Sequence, residues 1–397
     1  MFIKRDLSGI LERYVKFPVI AIIGPRQSGK TTLAKHYFSS YRFVNLEKPD
    51  VRAFAKNDPN AFLASLENPH GVIIDEFQYV PELLSYIQVI VDEKKRPGYF
   101  VLTGSQNFLM NQAITQSLAG RVGILTLLPL SIHELQEHHL IKDVNTTMFK
   151  GNYARIFSED INPLDFYPSY IKTYIERDVR QLTNIGEILI FQKFMQLCAA
   201  RIGQAVNIED LATNTGVDQR TIKKWLSLLE ASYILYLLKP YYKNFNKRLT
   251  KTPKLYFYDT GLACSLLDIK SPELLALSPY RGNLFECLIL SDFQKQYCNS
   301  ALQSSLYFWR DQNGRIEVDG LIDRGDTLFP IEIKAGATIS QNYFTAINEW
   351  STIAGTDASR NTIVYTGQEE QKRGKGHVIT WIMAGTFIAQ LYAPENI

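Results

Sequence analysis

Between Pro18 and Pro129 short apolar runs, at 19–23, 43–46, 72–74, 99–102 and 124–127, alternate with longer stretches of mixed polarity. Short runs bounded by Gly, Pro and polar residues predict strands buried on both faces. The helical stretches between them predict crossovers, and hence a largely parallel sheet in an α/β domain. From 129 to about 190 the pattern turns helical and aromatic, with Tyr167-Pro168-Ser169-Tyr170 leading into 171–182, and predicts a helical lid or linker. A compact unit follows over about 191–267. In its second helix Ile222, Trp225, Leu226 and Leu229 fall at i, i+3, i+4 and i+7, so one face is core. A last α/β unit opens with a helix at 281–296 and continues through strand-like runs at 306–309, 316–322 and 328–334. The expected domains are therefore 1–130, 131–190, 191–270 and 271–397.

A length of 397 residues suits two or three cores of this kind. Hydrophobic residues at 46% and charged residues at 21% are ordinary for a folded chain, and no low-complexity block argues for a disordered tail. The net charge of +3 is too small to imply nucleic-acid binding by itself, which leaves that case to local clusters. Cys198, Cys264, Cys287 and Cys298 stand far apart, without a CxxC pair or a nearby His at ligand spacing, so neither a zinc site nor a disulfide framework is expected. The first residues lack the apolar core and cleavage site of a signal peptide, and the apolar runs are too short to span a bilayer. The expectation is a soluble cytoplasmic protein without a membrane partner.

The strongest chemical signal is Gly24-Pro25-Arg26-Gln27-Ser28-Gly29-Lys30-Thr31-Thr32, which satisfies GxxxxGK[ST] directly after one predicted strand and before a predicted helix. Glycine lets the backbone wrap a phosphate, while loop amides and the helix N-terminus supply donors and positive potential. Lys30 is expected to bridge the β- and γ-phosphates of ATP and Thr31 to hold Mg²⁺. Further on, Val72-Ile73-Ile74-Asp75-Glu76 ends an apolar strand in two carboxylates. Asp75 is expected to orient hydrated Mg²⁺ and Glu76 to polarise the attacking water. A third strand ends in Thr103-Gly104-Ser105-Gln106-Asn107, where Ser105, with Gln106 and Asn107 as alternatives, could sense the γ-phosphate. Two arginine sources could neutralise transition-state charge: Arg121 in Leu118-Ala119-Gly120-Arg121, or Arg177 and Arg180 in the lid. Glu176 and Arg180, spaced i, i+4, equally describe a solvated ion pair.

Residues 208–229 read as helix, tight turn at Gly216, then helix, with Asp218 as N-cap. Arg220, Lys223, Lys224 and Ser227 lie on the outer face, where the second helix of a helix-turn-helix meets a major groove. Strand-like runs at 233–238 and 255–258 flank a basic connection with Lys243, Lys247, Arg248 and Lys251, as the hairpin wing of a winged helix would. The same surfaces also suit protein contacts. Near the end, Glu317 and Asp319 share a strand face, as do Glu332 and Lys334. Asp319 and Glu332 are candidate Mg²⁺ ligands, with Lys334 beside them and Glu286 as a further carboxylate; the alternative is an exposed strand face of alternating charge.

These motifs in combination, GPRQSGKTT at 24–32, IIDEFQYVP at 73–81, LTGSQN at 102–107, LAGR at 118–121 and TYIERDVRQL at 173–182, continue into FYDTGL, RGNLFE, EVDGLID and IEIKAG. With them the chain resembles, over nearly its whole length, the prokaryotic AAA-type P-loop ATPase family with a C-terminal domain of uncharacterised function. The resemblance implies ATP binding and hydrolysis, a winged helix, and a final α/β domain similar to the PD-(D/E)xK nuclease, or restriction-endonuclease-like, fold. On that pattern Glu286, Asp319, Glu332 and Lys334 match, while Val318-Asp319 replaces the proline and aspartate that name the motif. The expected function is a Mg²⁺-dependent ATPase whose nucleotide state controls a DNA-binding, nuclease-like half. The alternatives are a slow nucleotide switch that binds DNA or a protein without cutting, and a metal-dependent nuclease for which ATP is only regulatory. A homo-oligomer or an unidentified protein partner is a further expectation.

Overall fold

A strand forms at each of the five predicted runs in the first part of the chain: β1 (Val19–Gly24), β2 (Arg42–Asn45), β3 (Val72–Asp75), β4 (Phe100–Ser105) and β5 (Val122–Thr126). The structure is a computed structural model that describes residues 1–105, 117–175, 188–243, 251–311, 313–373 and 376–393. All the pairings in this sheet are parallel, in the order β2-β3-β4-β1-β5, so β4 is inserted between the strand that enters the glycine loop and the strand that ends in Asp75. The period of two along each strand sends alternate residues to opposite cores. Val19, Ala21, Val72, Ile74, Phe100 and Leu102 enter one. Ile20, Ile22, Ile73 and Val101 enter the other.

The chain divides into two compact units. The first comprises Met1–Leu130 with Ala231–Tyr233 and Cys298–Leu302; the second comprises Ser131–Glu230, Ile234–Tyr297 and Gln303–Ile397. The described part of 131–190 is not the separate lid or linker expected. Its Tyr153, Phe166, Tyr167 and Tyr170 share one continuous core with Phe194, Trp225, Phe285 and Leu306. The physical reason is a buried polar hub at Asp259. Its carboxylate caps the helix Thr260–Leu266 through Leu262 N (2.8 Å), accepts from Asn152 N (2.6 Å) and accepts from Tyr167 Oη (2.7 Å). Aromatic rings this large are stabilised by burial, and their hydroxyls find partners inside.

Within the second unit, helices Ile188–Ala200, Ile208–Thr215 and Gln219–Ala231 precede the antiparallel pair β6 (Leu235–Leu238) and β7 (Lys254–Phe257). Gly216 adopts the left-handed conformation at the turn between the second and third helices, and Asp218 Oδ1 accepts from Thr221 N at 2.9 Å. Ile222, Trp225, Leu226 and Leu229 are buried while Arg220, Lys223, Lys224 and Ser227 are exposed. A six-stranded mixed sheet follows: β8 (Leu306–Arg310), β9 (Glu317–Asp323), β10 (Leu328–Lys334), β11 (Asn361–Tyr365), β12 (Gln371–Arg373) and β13 (Gly376–Thr380), in the order β12-β13-β11-β10-β9-β8. β10 runs antiparallel to β9 and parallel to β11. Helices Arg281–Asn299 and Thr345–Ala354 belong to the same part of the chain. Among the described residues no helix is long and apolar enough to cross a membrane.

Candidate functional site

Parallel pairing aligns the carboxyl ends of three strands on one rim, where ligands of open α/β sheets bind. Gly24 of β1 stands opposite Ser105 of β4, and Asp75 of β3 opposite Thr103 of β4. From Gly24 the chain turns through the loop into the helix Lys30–Tyr37. Two glycines are required by geometry. A Cβ at Gly24 would overlap the Leu127 carbonyl oxygen, and Gly29, with φ 94°, caps the helix in the left-handed region.

Lys30 is buried, and its ammonium donates to Pro25 O (2.7 Å) and Gly24 O (3.2 Å), so the loop curls around its own lysine. Burial lowers the Lys30 pKa to about 8, against the opposing pull of Glu76. Thr31 Oγ1 donates to Asp75 Oδ1 at 2.7 Å, and Thr103 Oγ1 donates to the same oxygen. The side chains expected to hold Mg²⁺ are thus already in contact. The Ser28 hydroxyl is buried without a hydrogen-bond partner among the described residues, as a donor facing a phosphate would be. These features fit Mg²⁺ and a nucleotide triphosphate. Glu76 follows Asp75 in the left-handed conformation (φ 57°), and burial raises its pKa, with Lys30 and Arg26 opposing the rise.

Three contributors escaped the sequence reading. Arg5 is buried and donates to Ser28 O and Leu128 O, both at 2.7 Å, stapling the loop to the segment after β5. Nothing in the N-terminal pattern signals this. Thr103 and Gln78 lie inside the quoted motifs; Gln78 Nε2 donates to Glu76 Oε2 and to Ser105 Oγ (3.0 Å).

Arg121, expected to reach the phosphates, is not brought to the site. It precedes Val122, which pairs with Val19 at the amino end of β1, while the glycine loop leaves the carboxyl end. That is roughly 16 Å away by the rise of a strand. There Arg121 forms a bidentate pair with Asp92 at 2.5 and 2.8 Å. Gln106, Asn107, Arg177, Arg180, Lys247 and Arg248 lie outside the described residues.

A second cluster forms where β9 meets β10. The antiparallel ladder runs to Ile331 opposite Gly320, with Glu332 and Asp319 the next residues of each strand, and Asp319 Oδ2 accepts from Ile333 N at 2.8 Å. Lys334 Nζ lies 2.5 Å from Glu332 Oε1, and Glu332 Oε2 is buried without a hydrogen-bond partner among the described residues. Burial, then repulsion from Asp319, raises the pKa of Glu332 to about 8 and that of Glu286 to about 7. The exposed strand face weighed from sequence does not occur here, since Glu332 is 5% exposed. The three-carboxylate set is corrected as well. Among the described residues no group of three or more His, Cys, Asp or Glu side chains is placed to hold a metal ion. Glu286 is taken by the Tyr256 hydroxyl and by Lys254 Nζ (3.5 Å), and Lys254 also pairs with Glu317 at 2.5 Å.

Residues 16–136 match the family described as AAA domain. That similarity supports an AAA-type ATPase domain in the first part of the chain. Residues 141–273 and 281–383 match two families each described as a domain of unknown function (DUF8612 and DUF4143). Uncharacterized proteins of Mycobacterium tuberculosis and Mycobacterium bovis are each 28% identical over 374 residues, covering 92% of this chain and 80% of theirs. An uncharacterized protein of Haemophilus influenzae is 23% identical over 276 residues, covering 61% of this chain and 67% of its own. Among solved structures, a Walker-type ATPase of Pyrococcus abyssi is 15% identical with a TM-score of 0.44, over 67% of this chain and 96% of that one. The Thermotoga maritima RuvB Holliday junction branch migration motor is 20% identical with a TM-score of 0.30, over 58% and 86%.

Proposed function

We propose that the protein binds and hydrolyses ATP with Mg²⁺ at the rim of the first sheet, and that its second unit binds DNA as a function of nucleotide state. The observation that supports the reading most is the contact of Thr31 and Thr103 with one oxygen of Asp75, beside a buried Lys30 and the carboxylate of Glu76. Mg²⁺ and ATP, when bound, supply the transferable phosphoryl group and the neutralisation of its charge. The chain's own residues do the rest. Lys30 would leave the Pro25 and Gly24 carbonyls for phosphate oxygens, Thr31 and Asp75 would hold Mg²⁺, and Glu76 would take a proton from the attacking water. Ser105 marks the γ-phosphate position.

DNA contact is supported by the exposed Arg220, Lys223 and Lys224 on Gln219–Ala231, the second helix of a helix-turn-helix with a following hairpin, as in a winged helix. The test is ATP turnover with Mg²⁺ in the presence and absence of duplex and branched DNA. Stimulation that is lost in the triple variant Arg220→Ala, Lys223→Ala, Lys224→Ala is expected. Turnover indifferent to DNA moves the reading to a nucleotide switch acting on a protein partner.

One observation favours a further reading of the C-terminal sheet. Buried Glu332 Oε2, unpartnered among the described residues and close enough to Asp319 to be repelled by it, fits a divalent cation held by two carboxylates, with Lys334 alongside, as in nuclease-like folds. Calorimetric titration with Mn²⁺ is expected to show a site that survives Lys30→Ala and disappears in Asp319→Asn. Equal Mn²⁺ binding by wild type and Asp319→Asn would remove the metal site, and with it any cleavage.

A further inference from the structure

After β3 the chain does not continue straight. Glu76, in the left-handed region at φ 57° and ψ 42°, starts a single 3₁₀ turn, Phe77–Tyr79, closed by Tyr79 N to Glu76 O (3.1 Å) and Val80 N to Phe77 O (3.0 Å). A residue with a Cβ is strained in that region, and such strain persists where the surroundings impose it. Here it turns the Phe77 ring into the core, 2% exposed, and lays the Gln78 side chain across β4.

Two features make room for that side chain and fix its orientation. A Cβ at Gly104 would overlap Gln78 Oε1, so only glycine leaves β4 low enough for the carboxamide to pass. A carboxylate can only accept, so the NH₂ end of the amide must face Glu76. One amide nitrogen then donates both to Glu76 Oε2 and to Ser105 Oγ. The proposed base and the proposed phosphate-facing serine, on separate strands, are thereby joined through one rigid planar group.

We propose that Gln78 is a positioning residue that ties Glu76 to Ser105, so that the contact made by the Ser105 hydroxyl sets the aim of the Glu76 carboxylate. The proposal rests on the ATPase reading, in which that contact is the γ-phosphate. When Ser105 Oγ turns to a phosphate oxygen, the Gln78 amide loses one acceptor and shifts with the carboxylate it holds. Before that event the carboxylate is held by the amide in its nucleotide-free position.

The experiment measures kcat, KM for ATP and the pH dependence of kcat for wild type, Gln78→Ala, Gly104→Ala, Ser105→Ala and the Gln78→Ala, Ser105→Ala double variant, with Glu76→Gln as reference. Gly104→Ala displaces the carboxamide without altering Gln78, and tests the same link if Gln78→Ala does not fold. Gln78→Ala and Gly104→Ala are expected to lower kcat by about ten- to a hundredfold, the range for loss of aim at a reacting group, with KM unchanged. The double variant is expected to be no slower than the slower single variant, because both break one link. The acidic limb of the pH profile should shift in Gln78→Ala, since the amide is a hydrogen-bond donor to Glu76. Wild-type kcat and pH profile in Gln78→Ala, or multiplied losses in the double variant, overturn the proposal while Glu76→Gln still abolishes turnover. A wild type no faster than Glu76→Gln overturns the ATPase reading itself, and the proposal with it.

Discussion

Glu76→Gln is expected to lower ATP turnover by about a hundredfold or more, the low end of what a positioned general base contributes, while ATP still binds. Glutamine keeps the size of the side chain and an oxygen that can accept from Gln78, and loses the negative charge and the ability to take a proton. The pH dependence of the wild type carries the same information. Burial raises the Glu76 pKa above its ordinary value, and the base works only when deprotonated. Turnover should therefore fall as pH drops through that raised pKa, at a higher pH than an exposed glutamate would give, and the acidic limb should vanish in Glu76→Gln. Single-turnover measurements separate this loss from any change in product release. Normal turnover by the variant would remove Glu76 from the role of base.

Lys30→Ala is expected to weaken ATP binding by about a hundredfold or more, from the loss of charge-assisted bonds to phosphate in a water-poor site. Its ammonium has a lowered pKa, about 8, in the nucleotide-free protein because it is buried, with Arg26 adding to the fall and Glu76 and Asp75 opposing it. Phosphate oxygens favour the charged form, so binding raises that pKa again. Between about pH 8 and the bound value, ATP binding must take up a proton. Calorimetry at pH 8.5 in buffers of different ionisation enthalpy should show that uptake, and affinity should decline as pH rises through about 8. Both effects should be absent in Lys30→Ala. Uptake that persists in the variant assigns the proton elsewhere.

The glycine loop and the acidic strand end were legible as local structure because their signals are local. Glycines at 24 and 29, a lysine and threonine at the next helix start, and two acids at the end of an apolar run each follow from the conformation and charge that neighbouring backbone imposes. The apolar runs likewise located all five strands of the first sheet. In the last unit the reading stopped at β10. β11, Asn361–Tyr365, is buried throughout yet begins with two polar residues, and Asn361 is tolerated inside because Ser351 Oγ donates to its Oδ1 at 2.7 Å and its Nδ2 donates to Asn348 Oδ1 at 2.9 Å. Partners ten and thirteen residues away in another element leave no periodic trace.

Motif and period determined which residues could meet phosphate and which helix face is apolar, since both depend on spacings of a few residues. Strand order and distant partners decided the rest. Parallel pairing put Arg121 at the far end of the sheet from the loop, and burial of the tyrosines around Asp259 merged an expected lid into a core. Arg5, Lys254 and Gln78 acquired their roles in the same way. Their partners lie between two and more than a hundred positions away, and a charge or an amide is placed against them only when the chain has packed.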